Sequence, residues 1–303
     1  MLKRCIKFVI GLAIVAAMGV LLMGCSGNGS ATSTNMSSES VSSTSGLISV
    51  ITREEGSGTR GAFVEIVDVT VDGNDNITME AVVAPGTSVM MTNVAENPLA
   101  IGYASTGVAL GDDRVKVLSI DGVMPTVENM LNGTYAIQRP FLIGYNTSEG
   151  LNPLAQDFVD FIFSAQGQEV VADRGYVPFV PEGALQYVAS GLSGTIVVNG
   201  SSSVYSLMQH LSTAYRDINS NVTIDIHGAG TGHGIGAVRD GLADIAMSSR
   251  DLREGELEFL TPLTIAIDGI AVIVHPSNSI DNMTIELVRD IFLGEVERWE
   301  NAQ

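Results

Sequence analysis

Beyond Cys25 the 303-residue chain contains no cysteine; its only two are Cys5 and Cys25. A disulfide framework is therefore excluded for the body of the protein. Metal ligands are as scarce. The four histidines, His210, His227, His233 and His275, form no HExxH pair and have no cysteine partner, so no metal and no cofactor is expected. Basic residues are few: 15 Lys and Arg stand against 34 Asp and Glu, a net charge of −19. That is the opposite of a nucleic-acid footprint, and with 6% aromatics a stacking platform for bases is missing as well. No segment fits GxxxxGK[ST], no GxSxG nucleophile elbow occurs, and no Ser-His-Asp set stands out. A nucleotide P-loop and an enzymatic role are thus both disfavoured. What remains is 45% hydrophobic residues, enough for a sizeable core in one large domain or two lobes, and 33 glycines, several of them clustered with Ser and Thr.

The long apolar run is confined to the start. Lys3, Arg4 and Lys7 precede an uncharged stretch from Phe8 to Met23, which ends in Leu22-Met23-Gly24-Cys25. These flanks read as a secretory signal over residues 1–24. The Leu-x-Gly-Cys ending resembles a bacterial lipobox, which makes Cys25 the lipidated first residue of a protein anchored on the extracytoplasmic face of the cell membrane. A plain transmembrane anchor is the other reading, and the apolar length barely permits it. Cleavage removes three basic groups and no acidic one, leaving 12 basic against 34 acidic, −22. Residues 25–46 are rich in Ser, Thr, Gly and Asn and read as a disordered tether for a folded body of 47–303.

Within that body, apolar runs of strand length alternate with helical periodicity. Strands are expected at Ile48–Ile51, Leu99–Tyr103, Val115–Ile120, Phe141–Tyr145, Thr195–Val198, Val222–Ile226, Ile245–Met247 and Ile270–Val274, with helices over 153–172 and about 204–218. Repeated βαβ steps give an α/β fold. Three turns, Gly56-Ser57-Gly58-Thr59, Gly200-Ser201-Ser202-Ser203 and Gly230-Thr231-Gly232, each lie between a strand and a helix. Ligands of open α/β sheets bind there, beyond the carboxyl ends of the strands. Glycine permits close approach, helix N-termini offer N–H groups and a favourable dipole, and the hydroxyls add donors. One such turn is an ordinary cap and bend; three, with Arg53 beside one, favour a small tetrahedral oxyanion.

The run Val50-Ile51-Thr52-Arg53-Glu54-Glu55-Gly56-Ser57-Gly58-Thr59-Arg60 resembles the signature of the phosphate-binding proteins of phosphate ABC importers. Further matches are Ala100-Ile101-Gly102-Tyr103, Asn132-Gly133-Thr134-Tyr135 through Arg139-Pro140, Gly175-Tyr176-Val177-Pro178, Asn199-Gly200-Ser201-Ser202-Ser203-Val204, Asp244-Ile245-Ala246-Met247-Ser248-Ser249-Arg250, Asp268-Gly269-Ile270-Ala271-Val272 and Asp290-Ile291-Phe292-Leu293-Gly294 with Trp299. The resemblance covers nearly all of 47–303. It implies a two-lobed, type II periplasmic-binding-protein-like fold with the ligand in a cleft between lobes, binding of inorganic phosphate, delivery to permease subunits, and a monomer. It assigns ligand contact to Arg53, Ser57, Gly58 and Thr59 in one lobe and to Ser202, Ser203, Thr231 and Ser249 in the other. Glu54 or Asp251 is a candidate acceptor for the proton of hydrogen phosphate; both also read as solvated carboxylates. The alternatives are a binding protein for sulfate or molybdate, a phosphate sensor, or an extracellular phosphatase.

The order of the segments departs from that family, where the stretch resembling 194–303 precedes the one resembling 47–187. A circular permutation accounts for this, with 188–193 bridging the family's usual termini. A fragment of a tandem protein, or a truncated gene model, is the rival account. Permutation is the expectation carried forward, because the two pieces together make one complete copy. It places 47–120 with 276–303 in one lobe and 121–275 in the other.

Overall fold

The computed structural model describes residues 44–179 and 184–302. The expected signal segment, Cys25 and most of the expected tether lie outside the described residues. The last residues of the expected tether are bound to the body: Thr44 N–H donates to Ser279 Oγ at 2.9 Å, and the Gly46 carbonyl accepts from Trp299 N–H at 3.0 Å.

Eight strands form the path of the main sheet: β1 (Ser49–Arg53), β2 (Val82–Ala84), β3 (Ala100–Ser105), β4 (Gln138–Asn146), β5 (Gly194–Gly200), β6 (Val222–His227), β7 (Ile245–Ser248) and β8 (Leu260–Val274). Their spatial order is β6-β5-β7-β4-β8-β3-β1-β2. Four helices each come directly after a strand of this sheet: α1 (Gly58–Val67), α2 (Thr87–Glu96), α3 (Ser202–Ile218) and α4 (Thr231–Arg239). Strand β8 joins the two ends of the sheet. Its first part pairs antiparallel with β4 from Leu260 to Gly269, and its last five residues pair antiparallel with β3. The Ile270–Val274 run is buried throughout, as an uninterrupted apolar strand covered on both faces should be.

Two main cores result. One gathers Phe63, Tyr103 and Phe292, with the first two rings stacked at 4.0 Å, among residues 50–137 and 270–302 together with Val177. The other packs Phe158, Phe161, Leu207, Leu211 and Tyr215 among residues 141–266. Met130, Tyr135, Ile137 and Ile270–Val274 sit in the first core. The chain therefore passes between cores near 138 and 269, not at 120 and 275. Two sequence expectations also break into pieces. The helix over 153–172 is two helices, Pro153–Ile162 and Ala165–Asp173, because Ser164 caps the second and Gly167 packs against the Phe161 and Ile162 carbonyls, where a Cβ would collide. The strand over 115–120 is two short pairings, Lys116–Val117 on β8 and Ser119–Ile120 on Asn282–Met283.

Candidate functional site

Two parallel pairs of strands, β1 with β2 and β5 with β6, which run in opposite senses in the sheet, lead into four helices whose first turns touch one another. β1 leads into α1, β2 into α2, β5 into α3 and β6 into α4, so four helix N-termini gather beyond the carboxyl ends of the strands. Ser57 caps α1 by accepting the Arg60 N–H, and Ser201 caps α3 by accepting from Ser203 and Val204 N–H. The caps of α2 and α4 are Gly86 (φ 88°) and Gly230 (φ 108°), neither of which can supply a side-chain acceptor. Those two first turns have no side-chain cap; Thr87 N–H donates instead to Ser202 Oγ at 3.3 Å and Gly232 N–H to the Gly56 carbonyl at 3.1 Å, and positive φ is what glycine provides at the caps.

The side chains at these turns meet across the two cores. Arg53, 2% exposed, sends Nη2 to Ser202 Oγ at 3.0 Å and Nη1 to Thr87 Oγ1 at 3.4 Å. Thr59 Oγ1 and Ser203 Oγ share a hydrogen bond of 2.8 Å; Thr87 Oγ1 lies 3.3 Å from Ser202 Oγ and 3.2 Å from Ser203 Oγ. Ser201 Oγ donates to Ser249 Oγ at 2.8 Å, and Ser249 N–H to Thr231 Oγ1 at 3.4 Å. Gly58 faces this last pair so closely that a Cβ would overlap Thr231 Oγ1 and lie 2.6 Å from Ser249 Oγ. Gly232 N–H donates to the Gly56 carbonyl at 3.1 Å, a backbone bond directly between the two sides. All eight expected ligand residues thus come to one ring, with Ser57 at its edge as the α1 cap. Arg53, Thr59, Ser203, Thr231 and Ser249 are buried in it.

Of the two candidate carboxylates, one belongs to the ring. Glu54 takes Arg53 Nη2 on Oε1 at 2.7 Å, and Arg53 Nε and Gly86 N–H on Oε2 at 2.8 and 3.0 Å. Burial pushes its pKa up, but Arg53 and the Gly86 N–H outweigh that and hold the carboxyl below its ordinary value, so it stays ionised. Asp251 is exposed, and its main-chain carbonyl, not its carboxylate, takes the Arg250 Nη1 hydrogen bond. Openings flank the ring on two sides. One of about 510 Å³ is lined by Gly86, Thr87, Ser202 and Tyr205. The other, about 480 Å³, is lined by Ser57, Arg60, Gly232, Arg250 and Arg253.

Gly86, Thr87 and Ser201 are ring residues that the sequence reading did not single out. Ser201 lies inside a turn already noted. Pro85-Gly86-Thr87-Ser88 repeats the strand, glycine, hydroxyl, helix order of the other turns, but its strand is only the three residues Val82–Ala84.

The PBP superfamily domain model matches residues 30–166 and 186–303. The chain is 40% identical over 298 residues to the phosphate-binding protein PstS 2 of Streptococcus agalactiae serotype V, covering 96% of each. It is 43% identical over 285 residues to the protein of the same name from Streptococcus pneumoniae serotype 4, covering 93% of this chain and 96% of that one. Among solved structures, the crystal structure of a phosphate-binding protein of a phosphate ABC transporter from Streptococcus pneumoniae matches with a TM-score of 0.67 at 42% identity, covering 85% of this chain and 100% of that chain.

Proposed function

We propose, for a chain that belongs to the PBP superfamily and within it to the substrate-binding proteins of phosphate ABC transporters, that the ring around Arg53 and Ser202 is where inorganic phosphate binds. The protein binds phosphate outside the cytoplasm and delivers it to an ABC importer. The observation that carries the site is the convergence of four helix N-termini with a ring of hydroxyls contributed from both cores. Arg53 is already paired with Glu54, so little unpaired positive charge is left to meet an anion. Helix dipoles, N–H groups and hydroxyls then supply most of the stabilisation. Hydroxyls both donate and accept, so such a ring can exchange its own bonds for bonds to the four oxygens of the ligand. Eight ligand contacts are assigned on this reading: Arg53, Ser57, Gly58 and Thr59 from one lobe, and Ser202, Ser203, Thr231 and Ser249 from the other.

Opening and closing takes place where β4 and β8 pass between the cores, a hinge in the ordinary sense. The reversed segment order is a circular permutation on this reading. Two features support it. Each core draws on both halves of the chain, since β1–β3 pack with 270–302 and β4 packs with β5–β7. The segment before β5 is also fastened, with Tyr187 and Ser190 hydroxyls donating to Asp157 Oδ2 at 2.6 and 2.8 Å. Cys25 carries the lipid that holds the monomer at the membrane; among the described residues no helix is long and apolar enough to cross one.

Calorimetry on residues 47–303 tests the site. Phosphate binds one to one, a chelator leaves binding unchanged, and sulfate and molybdate compete poorly. Tight sulfate or molybdate binding with weak phosphate binding would assign the cleft to another oxyanion.

A further inference from the structure

Two motif fragments of the sequence, Arg139-Pro140 and Asp268-Gly269, place no side chain among the hydroxyls of the ring, yet they are partners. Arg139 on β4 stands in register with Asp268 on β8, at the crossing between the cores. Both side chains are almost wholly buried, 1% and 0% exposed. Arg139 Nε and Nη2 donate to Asp268 Oδ2 at 3.2 and 3.0 Å. Asp268 Oδ1 accepts from Ser105 Oγ at 2.8 Å and Thr106 Oγ1 at 3.0 Å, at the end of β3. Gly269 keeps Thr106 there, since a Cβ would lie 2.6 Å from Thr106 Cγ2. On the other side, Arg139 Nη1 donates to the Ser249 carbonyl at 3.1 Å. Ser249 is a ring residue, so an unbroken chain of hydrogen bonds runs from Thr106, through the pair, to the ligand turn.

A buried ion pair is a poor way to gain stability, because desolvation cancels much of its attraction and an apolar pair of similar volume does as well. Its geometry here has another use. The rigid guanidinium fork serves Asp268 through Nε and Nη2 and the Ser249 carbonyl through Nη1, a fixed spread of donors that the point-like ammonium of lysine does not impose. We infer that Arg139 and Asp268 are positioning residues that register the Ser249 turn against Ser105 and Thr106 as the lobes close, so that phosphate affinity depends on groups that never touch the ligand. This rests on the phosphate reading of the ring.

The test is phosphate titration of the full chain by calorimetry, well below the melting temperature, for the wild type, Arg139→Lys and Thr106→Val. Arg139→Lys keeps an ion pair with Asp268 but loses the Ser249 bond; it should bind phosphate at least tenfold more weakly while still melting cooperatively. Thr106→Val should bind at least fivefold more weakly. A purely structural pair would lower the melting temperature and leave low-temperature affinity alone. Binding within twofold of wild type by either folded variant overturns the inference; should Arg139→Lys not fold, Thr106→Val decides. Wild-type protein that ignores phosphate would instead overturn the reading of the ring.

Discussion

Arg53 Nη2 reaches Ser202 Oγ over 3.0 Å, although the two residues are 149 positions apart and belong to different cores. The same guanidinium is fixed from behind by Glu54 and turned toward Thr87 by Nη1. Arg53 is thus aimed by protein partners alone, and a side chain held in this way has little freedom left to lose on binding.

Removing donors from this pair should weaken phosphate binding without unfolding the protein. Arg53→Ala and Ser202→Ala should each cost about 1–3 kcal/mol of binding free energy, since each removes a donor to a buried anion. Calorimetric affinities check this. Wild-type affinity in Arg53→Ala would move the site elsewhere.

Gly58→Ala separates closure from folding. The position is the first residue of α1, where alanine suits the backbone, but its Cβ would overlap Thr231 Oγ1 and crowd Ser249 Oγ. The two sides should stop short of contact. A larger radius of gyration in solution scattering with phosphate present, an unchanged circular dichroism spectrum and at least tenfold weaker binding are expected. Normal compaction on adding phosphate would show that the hydroxyls simply step aside.

Much of the ring was legible in the sequence, for physical reasons. Turns such as Gly56-Ser57-Gly58-Thr59 advertise themselves because close approach requires glycine and an anion requires donors. The turn holding Gly86 and Thr87 escaped notice because three-residue β2 has too little apolar periodicity to announce a strand. The break at Ser164 was hidden for the opposite reason: apolar residues on both sides keep helical spacing, and the Ser164 cap with the packing of Gly167 on the Phe161 carbonyl marks the break. The place where Arg139 meets Asp268 has no local signal, since their contact spans 129 positions.

Acid should loosen the ring. Glu54 and Glu256 are both held below their ordinary values; burial opposes this, and Arg53 and Gly86 N–H for the first, Arg250 and Arg253 N–H for the second, outweigh it. A depressed carboxylate stabilises the fold above its unfolded pKa, about 4.3 for Glu, and that stabilisation is lost as pH falls through the folded value. The melting temperature should therefore hold from pH 7 to about 5 and drop below about 4.3. Glu54→Gln should flatten part of that drop; an identical slope in the variant would remove Glu54 from the account.

On the lipid-anchor reading, Cys25→Ser should release the protein from membranes into the soluble fraction of the cells that make it, because no thiol is left there to carry the lipid. Persistent membrane attachment after that change would point to an uncleaved apolar helix over 8–23.

Dividing the chain between its halves should destroy both fold and function if one binding protein has been re-ordered. Strand β8 lies in the second half, yet it pairs with β4 and with β3 from the first. A piece of 47–187 would keep Phe63 and Tyr103 but lose Ile270–Val274 and Phe292 from the same core, and a piece of 194–303 would lose Phe158 and Phe161 from under α3. Burial of an aromatic or branched side chain contributes about 1.5–3 kcal/mol, so a handful of such losses exceeds the about 5–15 kcal/mol that holds a domain together. The ring divides in the same way: Arg53, Thr59 and Thr87 fall in the first piece, and Ser202, Ser203, Thr231 and Ser249 in the second. Each piece expressed alone should give a broad, non-cooperative melt and no measurable phosphate binding, while mixing the two should restore some of both. A cooperative melt and tight phosphate binding by either piece alone would mean that it is self-sufficient, and would favour a fragment of a tandem protein over a permuted single copy.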